Sequence, residues 1–198
     1  MPPRRKQDQY GRRAKREGFP ARSVYKLEEI DRRSRLLKKG HRVLDLGASP
    51  GSWSLYAANR VGPTGRVIGI DIQAPDVALP AHAEIRVLDA FAVDPSELGG
   101  PFDVVLSDMA PKTSGQRHAD QYRSFELYMR ALNVATQVLV PGGSFVGKIF
   151  QGQEFDEARK ATREAFTQTR ILRPNATRHE SYELFLLGKG HSAPQNHQ

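Results

Sequence analysis

Leu44-Asp45-Leu46-Gly47-Ala48-Ser49-Pro50-Gly51 reads as the end of a short apolar strand running into a turn bracketed by glycines. A helix pattern over residues 52–60 follows at once and is broken by Gly62-Pro63. A strand, a tight glycine turn and a helix form the opening unit of a doubly wound sheet, whose ligands bind beyond the carboxyl ends of the strands. Glycine at 47 and 51 lets the backbone pass close to a ligand and turn sharply into the helix.

Working outward, the same alternation continues. Further strands are expected over residues 66–71, 84–88, 102–107, 144–150, 169–173 and 182–187, after the first at 42–46. Between them lie a long helix over 122–139, stopped by Pro141-Gly142-Gly143, and a helix over 155–168. Upstream, Val24, Leu27, Ile30 and Leu37 recur at helical spacing over residues 23–37, with Tyr25 beside them and Gly40 closing the helix. Strands alternating with helices predict an α/β fold with a mostly parallel sheet covered on both faces. Residues 19–189 read as a single domain. Residues 1–18 read as a basic arm without apolar period, ordering only on binding, and residues 190–198 as a loose tail.

Two more strand ends carry groups suited to a ligand. Asp71 ends the second strand, 24 residues beyond Gly47, where a carboxylate can accept both hydroxyls of a ribose. Asp89 follows the third strand and can accept from an exocyclic amine. The dinucleotide pattern G-x-G-x-x-G fails, because Ser49 occupies its second glycine position. Three successive strand ends so equipped point to a nucleoside cofactor, where one alone would be an ordinary corner of the fold.

Charge narrows the partner. Residues 1–42 hold 15 Lys and Arg against 5 Asp and Glu, a net of +10, while the remainder nets −2. A basic arm on a near-neutral body is the electrostatic footprint of a nucleic-acid binder, and equally that of a solvated helix face. The chain has no cysteine, which removes disulfides, thiolate catalysis and cysteine-bound zinc. Its six histidines show no metal-ligand spacing, so no metal centre is expected. No apolar run approaches the roughly 20 residues needed to span a bilayer, and no signal-peptide core follows the basic start. A cytoplasmic enzyme is expected.

The stretches Ala21-Arg22-Ser23-Val24-Tyr25-Lys26-Leu27, Leu44 to Trp53, Ser107-Asp108-Met109-Ala110-Pro111 with Ser114-Gly115, Pro141 to Lys148, and Ser181-Tyr182-Glu183 together resemble the FtsJ/RrmJ-like RNA 2′-O-methyltransferases. The resemblance spans residues 8–187 with order and spacing kept. It implies a Rossmann-like methyltransferase fold with a seven-stranded sheet in the order 3-2-1-4-5-7-6. It implies S-adenosylmethionine as methyl donor and a Lys-Asp-Lys-Glu tetrad, which falls on Lys26, Asp108, Lys148 and Glu183. Gly47, Gly51, Trp53, Asp71, Asp89 and Asp108 would then line the cofactor site. The implied substrate is a ribose, of a uridine, in the 23S ribosomal RNA of the large subunit or its precursor, and the implied state is a monomer. Two departures stand out: Ser52 where many members have glycine, and Lys112 where asparagine is common.

Such a tetrad suits the chemistry. A ribose hydroxyl is a weak acid, so its proton must be accepted as it attacks a sulfonium methyl. Lys148 is the candidate base. Burial and the charge of Lys26 favour its neutral amine, whereas Asp108 and Glu183 favour its ammonium. Asp108 would orient Lys148 and the methyl group, and Glu183 with Lys26 would position lysine and ribose, so that alignment supplies much of the rate. With the last strand antiparallel, Glu183 starts at the edge where the fourth and fifth strands end.

Three other readings compete. A transfer RNA 2′-O-methyltransferase would use the same site. A non-catalytic RNA-binding or ribosome-assembly protein would not need the tetrad. A nicotinamide-dependent oxidoreductase is disfavoured by Ser49.

Overall fold

The structure, a computed structural model, describes residues 4–192, with side chains described from residue 9. Seven strands build it: β1 (Arg42–Leu46), β2 (Arg66–Asp71), β3 (Ala83–Val87), β4 (Phe102–Ser107), β5 (Leu139–Phe150), β6 (Phe166–Leu172) and β7 (Glu183–His191). They form one sheet in the order β3-β2-β1-β4-β5-β7-β6, parallel except where β7 meets β5 and β6. The five α-helices are α1 (Arg4–Arg16), α2 (Val24–Ser34), α3 (Ser52–Val61), α4 (Arg117–Val138) and α5 (Phe155–Ala165), and a 3₁₀ turn covers Pro95–Leu98.

Alternation along each strand sends neighbouring residues to opposite faces. Val43, Val104, Leu106, Val146, Phe185 and Leu187 pack with Leu27 and Ile30 of α2 and Trp53 and Ala57 of α3. Leu44, Ile70, Val105, Phe145, Ile149 and Leu186 pack on the other face with Tyr128 and Leu132 of α4 and Ala158 of α5. Both faces are therefore closed, and the inner strands carry apolar residues at nearly every position.

Several boundaries differ from the expected ones, each for a packing reason. Residues 4–16 form α1 instead of an arm without regular structure. Tyr10 and Ala14 lie one turn apart and share a face, which packs on Val24, Tyr25 and Ala176. The Arg13 guanidinium lies 4.3 Å from the Tyr25 ring centroid. The sequence reading takes residues 166–168 as the end of a helix, yet they open β6. Phe166 pairs with His191 across the sheet and stacks on Phe145, so tertiary contact overrides helical propensity. The same pairing carries β7 to His191, beyond the expected end at 187. The fifth strand starts at Leu139 and passes through Pro141-Gly142-Gly143, with a register shift opposite residues 102–104. Beyond residue 192 the expected tail lies outside the described residues.

Candidate active site

The turn after β1 sits at the carboxyl edge of the sheet. Its Gly47 has φ 78°, a left-handed conformation that glycine adopts without strain. A Cβ there would meet Met109 Cγ at 2.6 Å and the Met109 backbone at 3.0 Å. Glycine thus lets the segment after β4 close against the segment after β1, which brings Asp108 beside the turn. Gly51, with φ 114°, starts α3, and a Cβ on it would collide with Val77. Both glycines are required by the geometry.

Register places the tetrad. Lys148 pairs opposite Phe185 and Phe150 opposite Glu183 in the antiparallel β5–β7 ladder. Lys148 and Glu183 are therefore diagonal neighbours on one face, the face that α2 covers. Lys26, in the first turn of α2, forms an ion pair with Glu183 at 2.5 Å. Lys148 Nζ donates to the Asp108 carbonyl at 2.7 Å and lies 2.9 Å from Asp108 Oδ1. That second contact is a charge contact outside hydrogen-bond alignment, since Oδ1 has no aligned donor. The Lys148 side chain is 7% exposed, and a buried ammonium needs such pairing. Lys26 and Glu183 line a cavity of about 410 Å³ whose wall also carries Arg22, Arg178, Glu180 and Ser181. The four residues thus meet as two charge pairs, of which Lys26 and Glu183 line the hollow.

The expected cofactor residues divide into two groups. Asp71 accepts from the Ser49 amide at 3.0 Å and from the Gln73 amide at 2.8 Å, so its carboxylate holds both turns at this edge. Asp89 accepts from the Phe91 amide at 2.9 Å. Ile72 and Phe91, 65% and 54% exposed, leave apolar surface beside these two carboxylates. Carboxylates flanked by exposed apolar surface and a close-approach glycine turn fit a nucleoside with a charged tail. Trp53 is different. It is buried, stacks on Phe185 and donates from Nε1 to the Ser23 carbonyl at 2.9 Å, so it supports the site from beneath.

Two functional groups escape the sequence reading. Ser52 is buried, and its hydroxyl accepts from the Ala21 amide at 2.8 Å and donates to the Ala21 carbonyl at 3.2 Å. With Trp53 it ties the start of α3 to the segment that launches Lys26. Its departure from glycine was the available signal. Asp45, fully buried, accepts from the Ser54 hydroxyl at 2.7 Å through Oδ2, while its Oδ1 has no partner. Burial pushes its carboxyl up to about 7, and the charges of Asp108 and Asp71 add to the shift. Asp71 and Asp108 place two carboxylates at this edge, which suits a cationic group, while the buried Asp45 behind them favours its proton. Nothing in the pattern Leu-Asp-Leu signals this.

The sequence profile of the FtsJ-like methyltransferases matches residues 19–191. A protein named ribosomal RNA large subunit methyltransferase E from Sorangium cellulosum is 51% identical over 188 residues, which cover 94% of this chain and 89% of that protein. Its namesake from Oleidesulfovibrio alaskensis is 50% identical, over 92% of this chain and 91% of that protein. A crystal structure described as a ribosomal RNA methyltransferase of Plasmodium falciparum shares the fold. Its TM-score is 0.72 at 24% identity, covering 87% of this chain and 98% of the other. The chain belongs to the FtsJ-like family of S-adenosylmethionine-dependent methyltransferases.

Proposed function

We propose that this chain methylates a ribose 2′-hydroxyl of large-subunit ribosomal RNA. The observation that carries the proposal is the meeting of Lys26, Asp108, Lys148 and Glu183 as two ion pairs, one of which lines a cavity that also carries Arg22 and Arg178. The named relatives act on the large ribosomal subunit RNA, which favours that target over transfer RNA. A protein that only binds RNA has no use for the tetrad.

S-adenosylmethionine supplies an electrophilic methyl group when bound. In this reading Asp71 accepts the ribose hydroxyls of the cofactor, Asp89 accepts from its adenine amine, and the Gly47–Gly51 turn follows its backbone. Lys148 would take the proton of the RNA hydroxyl while the oxygen bonds to the methyl carbon and that carbon's bond to sulfur breaks. The Asp108 carbonyl, which accepts from Lys148 Nζ at 2.7 Å, would aim that nitrogen at the hydroxyl. The Lys26–Glu183 pair fixes the ribose and the lysine in line, an alignment worth many orders of magnitude in rate. The reading carries with it a monomeric, cytoplasmic enzyme. Among the described residues, no helix is long and apolar enough to cross a membrane.

Incubation with methyl-labelled S-adenosylmethionine and either large ribosomal subunits or bulk transfer RNA tests the target. Label on the large-subunit RNA is expected. Label confined to transfer RNA would overturn the ribosomal assignment, and none on any RNA would overturn the enzyme.

A further inference from the structure

A cationic hollow lies at the opposite edge of the sheet from the tetrad. Its volume is about 160 Å³, and Arg33, Ser34 and Arg35 at the end of α2 face Gln168, Arg170 and Lys189 across it. The register explains the grouping, because Gln168 pairs with Lys189 and Arg170 with Leu187 on one face of β6 and β7. Lys189 stands six residues along β7 from Glu183, about 20 Å at strand rise. No residue assigned to catalysis or to the cofactor reaches it.

Three features of the hollow call for an anion. First, its charges are one-sided. Arg33 is met by Glu29, but Arg35, Arg170 and Lys38 have no ion-pair partner among the described residues. Second, the Lys189 ammonium is held by the Ser34 carbonyl while burial, then Lys38 and Arg170, depress its pKa. Its electrostatic surroundings are cationic, and an anion would relieve them. Third, Arg35 occupies the capping position after α2 at φ 48°, ψ 52°, and it is the one residue other than glycine with positive φ among the described residues. Glycine is the strain-free choice at such a cap. An arginine held there against backbone strain points to a task for its side chain.

We propose that Arg35, Arg170 and Lys189 form a phosphate-binding site for the RNA backbone, remote from the reacting ribose. The proposal rests on the RNA reading above and extends it. Phosphate contacts fix register and orientation without reading sequence. A contact about 20 Å from the tetrad requires an RNA that wraps from the carboxyl edge of the sheet round to its amino edge. Selection would then favour a large folded RNA over a short strand, because a short strand reaches only the catalytic mouth.

The test uses the full chain, S-adenosylhomocysteine and protein-free large-subunit RNA. R35E/R170E should weaken RNA binding at least tenfold and lower the log–log salt slope by about 1.4–1.8, the counterion release of two contacts. Its S-adenosylhomocysteine affinity should stay at the wild-type value. Arg35→Gly removes one charge and relieves the backbone, so it should keep or raise the melting temperature while weakening RNA binding. Unchanged RNA affinity and salt slope in R35E/R170E would overturn the site, and so would an affinity loss in Arg35→Gly seen only together with a lower melting temperature. Titration with inorganic tripolyphosphate separates the sources of phosphate. Tight tripolyphosphate binding alongside untouched RNA affinity would make this a small-anion site and overturn the RNA assignment. Wild-type protein that binds no RNA at all would sink the RNA reading itself, an outcome distinct from these.

Discussion

Lys148 and Glu183 are diagonal neighbours on one face of the antiparallel β5–β7 ladder, although 35 positions separate them in sequence. Each holds a charge partner from a different element, Asp108 after β4 and Lys26 on α2. The antiparallel insertion of β7 is what makes this possible. A parallel β7 would carry Glu183 to the far edge of the sheet.

Lys148→Ala should abolish methyl transfer and leave S-adenosylhomocysteine affinity within about twofold, because the role proposed for the amine is toward the RNA hydroxyl. Lys148→Arg should not restore it, because a guanidinium stays protonated and cannot accept a proton. Single-turnover rates check this. Near-normal turnover in the arginine variant would replace the base with a purely electrostatic role.

Asp71→Ala should weaken S-adenosylhomocysteine binding roughly ten- to a hundredfold, the loss of about 1.5–3 kcal/mol of charge-assisted hydrogen bonding. The same carboxylate also holds the Ser49 and Gln73 amides, so the turn loses order as well. Calorimetry reads the affinity. An unchanged value would remove Asp71 from the cofactor site.

Ser52→Ala should destabilise the fold by about 1–3 kcal/mol, because the Ala21 amide and carbonyl both lose their partner. A chain of this length loses roughly 2–4 °C of melting temperature per kcal/mol. Turnover should fall with it, since Ala21 and Ser23 launch the helix that carries Lys26. Full turnover at wild-type rates would show that the Ser52 bonds do not position Lys26.

Asp45 should make stability fall with rising pH. Its folded carboxyl titrates near 7, well above the unfolded value of 3.8. Between these values the folded state holds a proton that the unfolded state has lost, so stability drops as pH rises and levels off above about 7. Asp45→Asn removes that dependence. Denaturant unfolding at pH 5 and pH 8 should show the variant gaining on wild type with pH, by roughly 2–3 kcal/mol. Parallel pH profiles for the two proteins would mean that Asp45 is ionised throughout.

Much of this was legible in the sequence, and what was hidden has a physical cause. Strands buried on both faces read as apolar runs, and Gly47 and Gly51 marked the turn, so β1 to β4 emerged close to their true bounds. The meeting of Lys26, Asp108, Lys148 and Glu183 was legible through several motifs in order, not through any one residue. Helix α1 was not, because Tyr10 and Ala14 alone form its apolar face and two residues make no period. The opening of β6 was hidden by helical propensity that only the Phe166–His191 pairing overrides. Asp45, Ser52 and Arg35 act through burial, a local clamp and a backbone angle, none of which leaves a pattern along the chain.

The most direct measurement is the position of the methyl group on the RNA. Large ribosomal subunits are treated with the enzyme and S-adenosylmethionine, and the RNA is hydrolysed in alkali and examined by mass spectrometry. A single alkali-resistant dinucleotide carrying a ribose methyl is expected with wild type, and none with Lys148→Ala. A methyl group on a base, or the same dinucleotide made by Lys148→Ala, would contradict the account.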